Sequence, residues 1–230
     1  MKQIAIVTLG LLLIISSAAG ATKAPGELID EAVQVLQEIA EQPDAEHFRY
    51  VLQNTRGVAV FPSVLKAGLG LGGRYGEGVV LKYDPSQERW YGPYFVQLKG
   101  ISYGLQIGVQ KTSLVLVMTA EEGLRSLEEG QITLGGNLSV AAGPLGRSAE
   151  AGTNLTLDAV MYSYSISKGA FIGASLEGAS IDNSVNANQV YWNQELTPAE
   201  MLARPASNRN VRNLIRELER MMAGEAEVSL

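Results

Sequence analysis

Ile101-Ser102-Tyr103-Gly104-Leu105-Gln106-Ile107-Gly108-Val109-Gln110 alternates apolar and small or polar residues without a break. A period of two is the mark of a β-strand, because successive side chains point to opposite faces of a sheet. One face of this strand is apolar and its partner face is small and polar. Similar signals recur on both sides, at Val58 to Phe61, Gly78 to Tyr83, Tyr94 to Leu98, Ser113 to Met118, Leu134 to Ala142, Leu155 to Ser167 and Ala170 to Ile181. Gly, Pro, Asn or Asp separates most of them, which predicts a many-stranded antiparallel sheet. Of the 25 glycines, 21 fall between Gly57 and Gly178. Glycine inside strands marks bulges, sharp curvature or close backbone approach, so the sheet is expected to be strongly curved or barrel-like.

The ends read as helices. Between Gly26 and Ala40, Leu28, Ala32, Val35, Leu36 and Ile39 recur at helical spacing, with Glu27, Asp30, Glu31, Glu38 and Glu41 on the other faces. Thr119 with Glu122 matches a capping box, and Gly130 suits the far end of a short helix that interrupts the strands. Thr197-Pro198-Ala199-Glu200 places a cap, a first-turn proline and a capping-box glutamate in order. A last helix is expected from about Ser207 to Ala223, with Val211, Leu214, Ile215, Leu218, Met221 and Met222 on an apolar stripe. Arg209, Arg212, Arg216 and Arg220 recur along it against Glu217 and Glu219. Such a basic amphipathic helix packs on the sheet with solvated arginines, lies on an anionic membrane, or docks on a partner. The fold class is therefore α+β, a strongly curved or barrel-like antiparallel sheet with an N-terminal helix and C-terminal helices packed on it.

Ahead of these elements, Lys2 precedes an apolar run from Ile4 to Ile15, and Ala19-Gly20-Ala21 offers the small residues of a signal-peptidase site. The run is shorter than the roughly 20 residues of a spanning helix. Cleavage is expected after Ala21, giving an exported protein, periplasmic or secreted and at most peripheral to a membrane. The expected organisation is a signal peptide at 1–21, a helical segment at 22–56, a glycine-rich β domain at 57–195 and a helical segment at 196–230.

Composition narrows the chemistry. The 230 residues hold no Cys and one His, so disulfides, thiolate metal sites, a cysteine nucleophile and His-pair metal sites are excluded. No metal or cofactor is expected. Eighteen basic against 24 acidic residues give a net charge of −6, which argues against a general grip on nucleic acid. Gly100-Ile101-Ser102-Tyr103-Gly104 fits G-x-S-x-G, but a nucleophile elbow needs a turn into a helix and a histidine downstream, and His47 lies upstream. Gly68, Gly70 and Gly73 spell G-x-G-x-x-G in a stretch that continues as strand rather than opening a helix. Glu121-Glu122 and Glu128-Glu129 read as solvated charge on the short helix, and His47 as a surface or capping residue between helices. These patterns do not make an enzyme.

The strand region resembles the SYLF family, the Ysc84-like lipid-binding domain, in its exported bacterial form. The resemblance covers about Gly57 to Trp192. It rests on Gly57-Val58-Ala59-Val60-Phe61-Pro62, Lys66-Ala67-Gly68, Gly76-Glu77-Gly78-Val79-Val80, Trp90 with Pro93, and Gly100 to Gly108. Gly143-Pro144-Leu145-Gly146-Arg147, Tyr162-Ser163-Tyr164-Ser165 and Lys168 to Gly178 complete it. Tyr191-Trp192-Asn193 stands where the family commonly ends in a Tyr-Tyr-Gly-like string. The resemblance implies a non-catalytic phospholipid-binding protein of the bacterial cell envelope; eukaryotic relatives are associated with phosphoinositides and, in yeast, with actin. A lipid site needs cations for phosphate and apolar groups for the interface. Lys66, Arg74, Arg147 and Lys168 lie in or near the glycine-rich family strings and are the candidates there, with Arg209, Arg212, Arg216 and Arg220 on the last helix. The rival readings are an envelope scaffold whose protein partner docks on the basic helix, and a serine esterase using Ser102.

Overall fold

A computed structural model describes residues 23–42, 45–136, 138–143, 158–167, 170–172, 176 and 178–224. Helix α1 (Pro25–Ala40) opens the fold, with Pro25 in its first turn and Glu27 at the positive end of its dipole. It buries Leu28, Ile29, Ala32, Val35, Leu36 and Ile39. Helix α2 (Ala45–Gln53) follows, burying Phe48, Val51 and Leu52. His47, expected with Glu46 and Phe48 in a helix–helix connection, lies instead on α2, where Ala45, Phe48, Val51 and Leu52 recur at helical spacing and are buried.

The separate strands expected between Val58 and Met118 are parts of two long ones, β1 (Gly57–Asp84) and β2 (Arg89–Met118). They pair antiparallel along their whole length, from Gly57↔Met118 to Asp84↔Arg89, with register shifts between Phe61 and Val64, Leu69 and Gly70, and Val80 and Lys82. β1 also doubles back on itself. The Tyr83 amide donates to the Arg56 carbonyl at 2.8 Å. A Cβ at Gly78 would stand 2.5 Å from the Phe61 ring, one at Gly76 2.9 Å from the Ser63 carbonyl oxygen, and one at Gly72 2.2 Å from the Ala67 carbonyl oxygen. Glycine is required where the two halves of β1 approach this closely.

The far edge of β2 is shared between two strands. Val96–Gly100 pairs with β7 (Ala179–Asn183), which in turn pairs with β3 (Gln131–Thr133). Ser113–Met118 pairs with β5 (Met161–Ser167), which carries β6 (Ala170–Ile172) and β4 (Val140–Ala142). The result is α+β, with a strongly curled, half-barrel sheet and helices at both ends of the chain packed on it. The sheet departs from a wholly antiparallel one at β4–β5, which pair in parallel.

Both faces of the sheet's broad end are buried. Val58, Val60, Val79, Leu81, Phe95, Val115 and Val117 join one core with Tyr162, Tyr164 and Ile166, beneath α1 and α2. The residues between them, Ala59, Phe61, Val80, Tyr94, Val96, Leu98, Leu114, Leu116 and Met118, join a second core. Helix α3 (Glu121–Glu128) covers that second core with Leu124 and Leu127. Gly130 closes its end at φ +95°, but Thr119 is not its cap. The Thr119 hydroxyl instead donates to the Ala159 carbonyl at 2.8 Å, tying the helix entry to the start of β5.

Helix α4 (Val185–Trp192), which the sequence reading passed over, is fastened by Asn188. Its side chain accepts from the Phe95 amide and donates to the Phe95 carbonyl, both at 2.8 Å. Helix α5 (Pro198–Leu202) has the expected Thr197/Glu200 capping box. Helix α6 (Arg209–Ala223) starts at Asn208, whose side chain accepts from the Asn210 amide, and buries Val211, Leu214, Leu218 and Met221 in the first core. Between α5 and α6 the chain runs along β2: the Gly92 amide donates to Arg204 and the Ala206 amide to Trp90.

Candidate functional site

The bend of the β1–β2 hairpin gathers cations. Residues 62–76 and 98–119 contain Lys66, Arg74, Lys99 and Lys111 and no carboxylate. In the ladder Lys66 is opposite Gln110, Arg74 opposite Gly100, Tyr75 opposite Lys99, and Leu65 opposite Lys111. The Arg74 stem lies over Gly100, where a Cβ would be 3.3 Å from its Cγ, and partial burial lowers the Arg74 pKa. Lys66 is partly exposed and Lys111 exposed. Lys99 shares Asp182 of β7 at 3.4 Å with half its side chain still in water. Exposed pairs of that kind are weak and leave the cation available to a competing anion.

Two apolar side chains stand open at the same bend. Ile101 is 59% exposed and Val109 61%. By the strand's alternation, Lys99 and Ile101 continue the face that carries Phe95 into the first core, while Val109 and Lys111 continue the face of Val115 and Val117. The apolar face thus runs out past the helices that cover it. Nearby, the amide of Lys23 donates to Glu77 at 3.1 Å and its ammonium pairs with Glu31. The Tyr75 hydroxyl donates to Glu77 at 3.3 Å; desolvation first, and the Glu77 charge next, push the Tyr75 pKa up to about 12.

The last helix presents a different arrangement. Arg209, Arg212 and Arg216 face solvent, whereas Arg220 is partly buried and ion-paired with Glu217. The apolar stripe of α6 is spent on the first core, so its arginines are a solvated face of a packed helix rather than one side of a free amphipathic helix. Arg147 and Lys168 lie outside the described residues.

The remaining sequence motifs do not assemble into catalytic geometry. Ser102 sits inside β2 opposite Gly72, with no turn into a helix, so the nucleophile elbow that its motif requires is missing. Gly68, Gly70 and Gly73 sit inside β1 and open no helix. His47 lies on α2 rather than in a connection. Among the described residues no group of His, Asp and Glu could hold a metal ion, and no helix is long and apolar enough to cross a membrane.

A family model for Ysc84, described as Las17-binding protein actin regulator, matches residues 99–221. The chain belongs to the Ysc84 family. That family is the one its glycine-rich strings resemble, and the matched range begins at Lys99 rather than near Gly57 and runs on into α6, to Met221, rather than stopping near Trp192. Packing explains the extension, since α6 completes the first core. Protein YSC84 of Saccharomyces cerevisiae is 40% identical over 157 residues, 67% of this chain and 33% of that protein. The SH3 domain-containing protein PJ696.02 of Schizosaccharomyces pombe is 40% identical, over 66% of this chain and 36% of that protein. SH3 domain-containing YSC84-like protein 1 of Bos taurus is 32% identical over 75% of this chain and 52% of that protein. The chain thus spans about a third of the length of the yeast relatives it matches.

Proposed function

We propose that this Ysc84-family protein is a non-catalytic phospholipid-binding protein of the bacterial cell envelope that recognises anionic headgroups at the bend of its long hairpin. One observation carries the reading: a chain of net charge −6 places Lys66, Arg74, Lys99 and Lys111 and no carboxylate in residues 62–76 and 98–112, and pairs the two stretches with each other through the bend. Glycines at this bend allow close backbone approach, and cations near a membrane each contribute about 1 kcal/mol toward an anionic surface. The leader-like residues 1–21 support the envelope assignment. Lys66 and Arg74 meet phosphate in this reading. Their joint replacement, Lys66→Gln with Arg74→Gln, weakens co-sedimentation with anionic vesicles at low salt; undiminished binding by the folded variant contradicts the role given to them.

A second reading has its own support. Arg209, Arg212 and Arg216 form a solvent-facing basic row on a rigidly packed helix, and the family description names a protein-binding regulator. An envelope scaffold that docks an acidic protein on α6 would use that row. Loss of a co-purifying protein on replacing the three arginines by Gln, with no affinity for vesicles, would favour it.

A further inference from the structure

Thirteen residues, Lys99 to Lys111, form the bent middle of β2, and they are bracketed by lysines at both ends with no acid between them. Within the bracket, odd positions are Ile101, Tyr103, Leu105, Ile107 and Val109, and even positions are Gly, Ser and Gln. At the two ends of this run the side chains of Ile101 and Val109 are more than half exposed, although the face they belong to is buried on either side, at Phe95 and at Val115. Nothing among the described residues covers them. Isolated exposed apolar residues are ordinary on protein surfaces; two on one strand, each two residues from an exposed lysine, are not isolated.

We propose that this lysine-bracketed bend enters the interfacial layer of an anionic bilayer, with Ile101 and Val109 among the acyl chains and Lys99 and Lys111 at the phosphates. This rests on the lipid-binding reading and adds to it: contact through Lys66 and Arg74 alone would leave the protein on the headgroups, whereas the bend inserts. Charge selects the occupant. A second copy offers the same stretch, whose residues 99–111 carry lysines at both ends and no carboxylate, so two bends face each other with like charges, while an anionic leaflet supplies both the phosphates that compete with Asp182 for Lys99 and the apolar layer. Burial agrees, because Lys99, Ile101, Val109 and Lys111 are all exposed while the two cores stay covered.

The experiment uses the full chain, expressed with its own leader and purified in the form the host leaves it, with vesicles of zwitterionic lipid alone and with anionic lipid added. Four variants are compared: Ile101→Ser with Val109→Ser, Lys99→Gln with Lys111→Gln, Ile101→Trp as a depth probe, and Val190→Trp on exposed α4 as its control. All four changes are at exposed positions, and unchanged thermal melts establish folding. The serine pair is expected to weaken anionic-vesicle binding about tenfold at high salt, and the glutamine pair about tenfold at low salt. The Trp at position 101 is expected to shift to the blue and to be quenched by lipids brominated on their acyl chains, while the Trp at 190 does neither. Parent-level binding by both pairs, or a Trp at 101 that stays in water on bound vesicles, overturns insertion and leaves the lipid-binding reading intact. No binding of the parent to any vesicle overturns both. A parent that is dimeric, becomes monomeric in the serine pair and ignores vesicles assigns the stripe to a second copy and overturns insertion.

Discussion

The main-chain amide of Tyr83 donates to the carbonyl oxygen of Arg56 at 2.8 Å, joining the far end of β1 to the residue that leads into it. This bond fastens the far end of the doubled β1 to the residue just before its start, and the close approaches of Gly72, Gly76 and Gly78 continue the doubling inward. Tyr83 also packs on Trp90 with ring centroids 4.7 Å apart, so the same residue ties the strand's end to the first core.

Close approach within β1 makes Gly78 intolerant of a side chain. A Cβ there would meet three atoms of the Phe61 ring within 2.9 Å, and Phe61 is fully buried with no room to retreat. Gly78→Ala is expected to lower stability by about 1–3 kcal/mol, the usual range for overpacking. Adding Phe61→Leu should recover part of that loss, so denaturant unfolding of both single variants and the double variant gives a coupling that favours the pair. Additive losses would show that the two halves of β1 do not meet.

Asn188 replaces a missing strand. It answers both main-chain groups of Phe95 at 2.8 Å and also donates to the Asn183 side chain. Asn188→Ala leaves the buried Phe95 amide without its partner, while the Phe95 carbonyl keeps the Ser184 amide at 3.0 Å, so a cost of about 1–3 kcal/mol is expected. Hydrogen exchange at the Phe95 amide should accelerate in that variant; protection equal to the parent's would mean that another group satisfies the amide.

Alkaline pH probes the edge of the bend. Tyr75 has its pKa raised to about 12 by desolvation and by Glu77. A raised folded-state value means that its contribution is fully present below the unfolded value near 10 and is lost as pH climbs through about 12. Tyr75→Phe removes that titration, so its stability should fall less steeply between pH 10 and 12 than the parent's. Identical slopes would place Tyr75 in water, away from Glu77.

The arginines of α6 divide by environment. Arg209, Arg212 and Arg216 are exposed, and changing all three to Gln should leave the melting temperature within about a degree or two, because exposed charges away from partners contribute little. Arg220→Gln strands the nearly buried Glu217, and a loss of about 1–2 kcal/mol is expected. Equal effects at the four positions would contradict the packing of α6 on α1 and α2.

Much of the fold was legible because hydrophobic period survives into the structure. The alternation at Ile101 to Val109 lies in a strand, the stripes at Leu28 to Ile39 and Val211 to Met221 lie in packed helices, and Thr197/Glu200 caps as read. What the pattern did not carry was continuity: glycines that looked like breaks between strands are points where one strand bends against itself. Thr119 shows the second kind of failure, since its hydroxyl found the Ala159 carbonyl, a partner forty residues away that outcompetes a local cap. Helix α4 is hard to see in the sequence because Val185 and Val190 face outward while Ala187, Tyr191 and Trp192 pack inward, so its apolar residues share no single stripe, and the Asn188 amide adds to the inward packing. Of the candidate cations, Lys66 and Arg74 lie at the bend. Lys99 and Lys111 were missed there, although the absence of any acid from residues 98–119 would have marked them.

Export can be read from mass alone. Expression in a bacterium followed by intact-mass measurement should give a chain starting at Thr22, the residue after Ala19-Gly20-Ala21. A retained Met1 in the membrane fraction would replace the cleaved leader with an anchor.

Titration of the full chain, in the form recovered after export, with neutral and anionic vesicles at low and high salt tests lipid recognition most directly. Binding to anionic vesicles that weakens as salt rises, with little on neutral ones, is the predicted result. Equal indifference to every vesicle at low salt would contradict it and leave the arginine row of α6 as the surface to pursue.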